Sequence, residues 1–267
     1  MDKPSTSEFD EGRTLTAVLK NTTRPLYLLR PSMEVLDSIV RIVHENVEKP
    51  LIHVLATEDD LRSIRQTFST ATFTADLIDE GDLTLTPTAP SGQGTLLVSE
   101  EGIYTVATVD EHQFVFGSTN VPAALVEHCS NCHGTQTFDL RTPGMTHILE
   151  SVEETFSVDI RDDLSAAIET SANSDEVNLD EATIALLVAS KNELLLYDLS
   201  RWGEDIRLCS KATFSRTKTE LEDHGIIETE KVPIDVGRPR LRLRLADEYV
   251  PVSIPELLQE VTATLSN

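Results

Sequence analysis

Residues 238–245 read Arg-Pro-Arg-Leu-Arg-Leu-Arg-Leu, a strict two-residue alternation that sorts into two clean faces only when the chain is extended. Leu241, Leu243 and Leu245 then point to one side, and Arg240, Arg242 and Arg244 to the other. The run Ile226–Val232 predicts a partner strand, and Asp235-Val236-Gly237 predicts the turn that joins it to a returning strand over Arg238–Leu245. Just upstream, Ser210 is placed to cap a helix whose inner side carries Phe214, Leu221 and Thr217. That helix is expected to end at His224-Gly225, with the glycine in a left-handed C-terminal turn. A short helix followed directly by a basic two-stranded hairpin is the outline of a winged helix.

Such a helix leaves Lys211, Ser215, Arg216, Lys218 and Thr219 facing outward. An arginine there can donate two hydrogen bonds to guanine O6 and N7, which makes Arg216 the expected base-reading residue. Lys211, Thr213 and Lys218 are better suited to phosphates, as are Arg238, Arg240, Arg242 and Arg244 along the hairpin. Two blander readings stand beside this one: the arginines pair with nearby carboxylates on a solvated strand, or the module docks a protein. Charge bears on the choice, because the chain has 46 acidic and 22 basic residues and a net charge of −24. Nucleic acid cannot then be bound over the whole surface. Ten of the basic residues nevertheless fall within 201–244, against eight acids, on the helix and hairpin. Double-stranded DNA is the expected partner. The remaining acids are dispersed and arginine outnumbers lysine, as expected of a salt-adapted protein.

The stretch from Thr213 to Ile227 resembles winged helix-turn-helix regulators, through its Thr213-Phe214-Ser215-Arg216 start, Leu221-Glu222, and Gly225-Ile226-Ile227 exit. Lys218 departs from the pattern, standing where those families carry a buried leucine. In acidity, length and C-terminal module the chain is similar to the haloarchaeal TbsP (TrmB-bypass-suppressor) regulators. That resemblance implies a transcription regulator without enzymatic activity, and control of central sugar metabolism.

The N-terminal part alternates strand and helix: a strand from Leu26, a Ser32-capped helix through Val35, Leu36, Ile39, Val40 and Val43, a strand at Leu51–Leu55, and a Thr57-capped helix to about Phe68. Strands at Leu83–Thr86, Thr95–Val98, Ile103–Val109 and Gln113–Gly117 follow. The expected organisation is a tail over 1–13, an α/β sensor domain with a mixed sheet over 14–145, and a helical connector and dimer interface over 146–175. A winged helix-turn-helix over 176–250 and a C-terminal helix over 251–267 complete it. The connector is predicted from Ile148, Val152, Phe156, Ile160, Leu164 and Ile168, which recur every four residues.

Asp110 and Gly117-Ser118-Thr119-Asn120 are similar to the second half of the phospholipase D signature. Ile103 and Thr105 stand where the first half has its nucleophilic histidine and its lysine, so the resemblance implies a catalytically dead, phospholipase-D-like sensor fold. Asp110, Ser118 and Asn120 would then line a pocket for a sugar or phosphorylated metabolite. The alternative reading of Asp110 and Gly117 is as plain turn residues. His128-Cys129-Ser130-Asn131-Cys132-His133 contains C-x-x-C-H. No export signal accompanies it, which disfavours haem, while zinc held by Cys129, Cys132 and His133, a redox dithiol, and no special role all remain open. No cofactor is required. The chain has no apolar run long enough to span a bilayer, and a cytoplasmic homodimer is expected. The rival from another class is a phosphodiesterase or metal-dependent enzyme tethered to a winged-helix targeting or interaction module.

Overall fold

The computed structural model describes residues 14–46, 49–89, 94–109, 112–133, 136–174, 177, 179–235 and 237–266. Two compact units divide the chain, one of residues 1–65 and 73–140, the other of 66–72 and 141–267.

In the first unit, α1 (Leu15–Asn21) precedes β1 (Leu26–Leu29) and α2 (Met33–His44). The Ser32 hydroxyl accepts the Val35 N–H at the start of α2, and the predicted stripe Val35, Leu36, Ile39, Val40 and Val43 is buried. After β2 (Ile52–Ala56), Thr57 and Asp60 form a capping box on α3 (Glu58–Ser63). The helix expected to run on to Phe68 stops at Ser63, and after a 3-10 turn comes a separate helix, α4 (Phe68–Asp79), whose residues up to Thr72 are counted with the second unit. Ser69, Thr70, Thr72 and Thr74 of α4 are buried along with its apolar residues. The segment therefore has no polar face to give it a period, which is why its pattern does not read as a helix. Thr72 satisfies its hydroxyl within the helix by donating to the carbonyls of Phe68 and Ser69.

Then come β3 (Leu83–Pro87), β4 (Leu96–Val98), β5 (Ile103–Val109), β6 (His112–Ser118) and α5 (Ala123–Cys132). The strands form a mixed six-stranded sheet ordered β3-β2-β1-β4-β5-β6, parallel among β1 to β3 and antiparallel from β1 outward through β6. One face buries Tyr27, Leu55 and Val98 with Cys129, and Leu125 and Val126 pack there from α5. Gly117 is explained by its cross-strand neighbour. A Cβ at that position would lie 2.1 Å from Cδ1 of Tyr104, whose ring occupies the space.

The second unit begins with α6 (Met145–Thr155) and α7 (Val158–Asn173), two helices where a single helical stretch was expected. A spacing of four overshoots the α-helical turn by about 40° at each step, so a stripe from Ile148 to Ile168 cannot stay on one side of a straight helix. The chain breaks at Phe156, and the Ser157 hydroxyl caps α7 by accepting the Ile160 N–H. The released Phe156 ring meets Trp202 edge-on at 6.0 Å. Next are α8 (Glu181–Lys191), α9 (Leu196–Asp205), α10 (Lys211–Asp223), β7 (Ile227–Val232), β8 (Arg240–Leu245) and α11 (Ile254–Leu265), which packs on α7. The segment expected as a separate connector thus shares one compact unit with the helix–hairpin module. Gly203 lets α9 and α10 approach, since a Cβ there would come within 2.5 Å of the fully buried Phe214 ring.

Candidate nucleic-acid interface

The helix α10 starts at Ser210, whose hydroxyl accepts the Thr213 N–H at 3.1 Å. Its buried side is Phe214, Thr217 and Leu221, as the spacing predicts. Gly225 takes φ +69, and the N–H of Ile226 donates to the Leu221 carbonyl, so the left-handed turn ends the helix as expected. Ser215, Arg216 and Thr219 are exposed and share a shallow surface with Ala212, Glu220, Asp223 and His224. Arg216 has no ion-pair partner among the described residues. The acids of this face lie at its C-terminal end, so the first half of α10 is the part free to meet an anion.

Lys218 does not face outward. Its side chain is 13% exposed, and its ammonium is paired with Glu222 one turn on. The carboxyl of Glu222 also accepts the Thr229 hydroxyl at 2.7 Å. Burial alone would raise its pKa, but the hydrogen bonds from Lys218 and Thr229 hold it below the ordinary value. Lys218 is thus accommodated by a local partner, and the buried face of the helix keeps its register. Lys211 is likewise taken, by Glu204 of α9.

The wing pairs β7 with β8 in the register Ile227 opposite Leu245 and Val232 opposite Arg240. Leu243 and Leu245 are buried, and Leu195 adds a bridge to Arg242 on the other side of β8. The arginine face is not a free cationic row. Arg240 Nη1 lies 3.1 Å from Asp198 Oδ1, and its guanidinium stacks 4.0 Å above the Tyr197 ring. Arg244 lies 3.4 Å from both Glu193 and Glu230. Arg242 faces Glu230 across the ladder, while Arg238 is exposed at the start of the returning segment.

Arg207 was not singled out by the sequence. It sits exposed in the turn between α9 and α10 at φ +61, with the Leu208 N–H donating to the Gly203 carbonyl across it. The signal was faint because a left-handed turn of this kind normally announces itself with glycine.

The other expected residues fall in the first unit. Asp110 lies outside the described residues. Ser118 ends β6, and its hydroxyl accepts the Asn120 N–H at 3.1 Å. The β5–β6 ladder runs from Val109–His112 at one end to Ile103–Ser118 at the other, so Ser118 and Asn120 stand a strand's length, about 20 Å, from His112. Cys129 is fully buried among apolar side chains, and burial, with Cys132 nearby, pushes its thiol up to about 11. His133 stacks on His53 at 3.6 Å between ring centroids, and Cys132 Sγ approaches His128 Nε2 at 3.8 Å. The expected ligands Cys129, Cys132 and His133 are not assembled, and no group of three His, Cys, Asp or Glu among the described residues is arranged to hold a metal. Cys129 is a core residue.

Three helices closed by a two-stranded wing, with an exposed polar face on the third helix, define a winged helix-turn-helix, a DNA-binding class of fold. Residues 5–143 match the N-terminal domain of TbsP-like transcriptional regulators, and residues 144–263 match their C-terminal HTH domain. The chain belongs to the TbsP-like family of transcriptional regulators, and is accordingly a DNA-binding regulator. No curated protein and no solved structure matches it. No helix among the described residues is long and apolar enough to cross a membrane.

Proposed function

We propose that the chain binds promoter DNA as a homodimer by placing the exposed face of α10 in the major groove, with Arg216 reading a guanine and Ser215 and Thr219 contacting base edges or phosphate. The observation that carries this reading is the exposed Arg216, unpaired among the described residues, on a helix whose two lysines are engaged by carboxylates. Thr213 at the start of α10, with Arg238 and Arg242 on the wing, supplies the phosphate contacts. A single helix reads only a few base pairs, and a two-fold operator doubles that reading. The first unit is the sensing part, taking a sugar or phosphorylated metabolite. Its support is that it forms a compact unit of its own.

A gel-shift titration of the full chain on genomic promoter fragments, in dilute buffer and in molar KCl, tests the DNA reading. Preference for particular promoters over random sequence, lost in Arg216→Ala, is the expected result. Equal binding of all sequences, or unchanged preference in the variant, overturns it. Thermal-shift assays with sugars and sugar phosphates test the sensing role, which fails if none raises the melting temperature.

A further inference from the structure

The two edges of the six-stranded sheet are treated differently. At β3 the edge is covered, because the Phe138 N–H donates to the Leu85 carbonyl and the strand ends in Pro87. At β6 no described segment pairs with the outer edge. Open edges are usually guarded by charged side chains. This one is not: between Gly102 and Val126 the only charged residues are Asp110 and Glu111, in a chain that is 25% charged overall.

The face beside that edge is apolar as well. Phe114 and Phe116 of β6 are 49% and 40% exposed. They stand opposite Ala107 and Thr105 of β5, both exposed, on the side of the sheet that α5 covers farther in. The packing of α5 reaches Leu96 and Ile103 and leaves the outer half of the hairpin bare. The opposite side is occupied, with Val115 buried and Gln113 Nε2 donating to Ser38 Oγ of α2 at 2.9 Å. At roughly 200 Å² for a whole phenylalanine, the two residues leave about 180 Å² in water, side by side on one face of β6.

We propose that β6 is the homodimer strand: two copies pair antiparallel about Val115, joining their six-stranded sheets into one, with Phe114 of each copy opposite Phe116 of the other. Charge selects a second copy as the occupant. Two chains of net charge −24 repel over most of their surface, and a two-fold contact brings each group near its own equivalent. A self-contact is therefore favoured where charge is missing, and this hairpin is such a place. A different protein recruited by this acidic chain would be drawn to its carboxylates. Residues directly opposed in an antiparallel pair share a face, so pairing about Val115 merges the four phenylalanines into one stripe of cross-strand aromatic pairs.

The inference rests on reading the chain as a regulator of a two-fold operator, and the test separates the two. The molar mass of the full chain is measured by light scattering at micromolar concentration in molar KCl, with DNA affinity measured in parallel. The wild type should have twice the 29.5 kDa protomer mass. Phe114→Glu with Phe116→Glu should weaken dimerisation at least 100-fold and give a monomer with an unchanged circular-dichroism spectrum. Ala107→Glu, on the same exposed face, should give the same loss and stands in if the double variant does not fold. Val158→Glu, at an exposed site starting α7, should remain dimeric. Arg216→Ala should keep the dimer mass while losing operator preference, so a failure of the DNA reading leaves the mass result intact. A monomeric wild type, dimers persisting in the folded Phe114→Glu/Phe116→Glu and Ala107→Glu variants, or loss of the dimer in Val158→Glu overturns the proposal.

Discussion

The helix α10 and the strand β8 look equally basic when read as sequence, yet the fold leaves the arginine of the helix and two arginines of the strand in different surroundings, while the helix's two lysines are paired. On α10, Arg216 stands free of ion pairs among the described residues, while on β8 Arg240 and Arg244 are held by Asp198, Glu193 and Glu230. Periodicity tells which face a side chain occupies; it does not tell what faces it. The difference divides labour within the module. On the proposed reading, the free Arg216 would discriminate among bases, whereas a wing with two of its arginines paired would add less long-range attraction to DNA in general. On a strongly acidic chain that division would lower the affinity for arbitrary sequence and leave selectivity to the helix.

The largest effect that sharpens this comparison is expected from Arg216→Ala. Losing a two-bond guanine contact costs about 1–3 kcal/mol, roughly a 5- to 150-fold loss of affinity for the preferred promoter, with little change on random DNA. Arg240→Ala should change affinity for either DNA by less than about 3-fold, because its charge is already spent on Asp198 and the Tyr197 ring. Paired titrations by fluorescence anisotropy check both, and an Arg240→Ala loss equal to that of Arg216→Ala would abolish the distinction.

The second experiment turns the wing into a cationic one. Glu193→Gln, Asp198→Asn and Glu230→Gln together release Arg240 and Arg244. Affinity for random DNA should then rise several-fold at low salt. The slope of log affinity against log salt should steepen by about 0.9 for each phosphate newly contacted. An unchanged slope would mean that the wing does not reach the backbone.

The helix–hairpin module was legible because each of its signals is local. Ser210, the Phe214–Thr217–Leu221 spacing, Gly225 and the Leu–Arg alternation all act within a few residues of where they are read. The Arg240–Asp198 pair was not, since the two lie 42 positions apart and no local rule connects them. For the same reason the spacing around Cys129 left a metal, a redox or no special role open, and only the fold shows it buried in an apolar cluster. Gly117 likewise finds its reason across the strand in Tyr104. The helix α4 stayed hidden for a different reason, burial on all sides, and the break at Phe156 was implicit in a spacing of four that one straight helix cannot keep. The open edge at β6 was written in the sequence as an absence of charge, but absence becomes a feature only once the neighbours of the strand are known.

A smaller effect concerns the seat of α10. The carboxyl of Glu222 titrates below the ordinary glutamate value of 4.5 in the folded chain, so it contributes stability that is present above 4.5 and lost as pH falls through its lowered value. Lys218→Leu puts an apolar residue at this part-buried position but removes one of the two donors, and the burial that remains pushes the carboxyl upward. Acid unfolding of the variant should therefore begin at higher pH than in the wild type, with stability at pH 7 changed by no more than about 1 kcal/mol. Circular dichroism across an acid titration checks this, and identical acid midpoints would show that the Lys218 pair does not hold the helix.

The smallest effect is expected at the turn that aims the helix. Arg207 holds φ +61, a left-handed conformation that costs an L-residue about 1–2 kcal/mol and glycine nearly nothing. Against that, glycine gains about 0.5–1 kcal/mol of freedom in the unfolded chain. Arg207→Gly should therefore stabilise the unit by about 0.5–1 kcal/mol in urea unfolding. Arg207 is also exposed directly ahead of α10, where the backbone of a bound duplex would pass, and the same substitution should then weaken binding to all DNA sequences alike. Stability and affinity moving in opposite directions would show a strained turn kept for its charge. A gain in stability with unchanged affinity would leave reading and attraction alike to α10 and the wing.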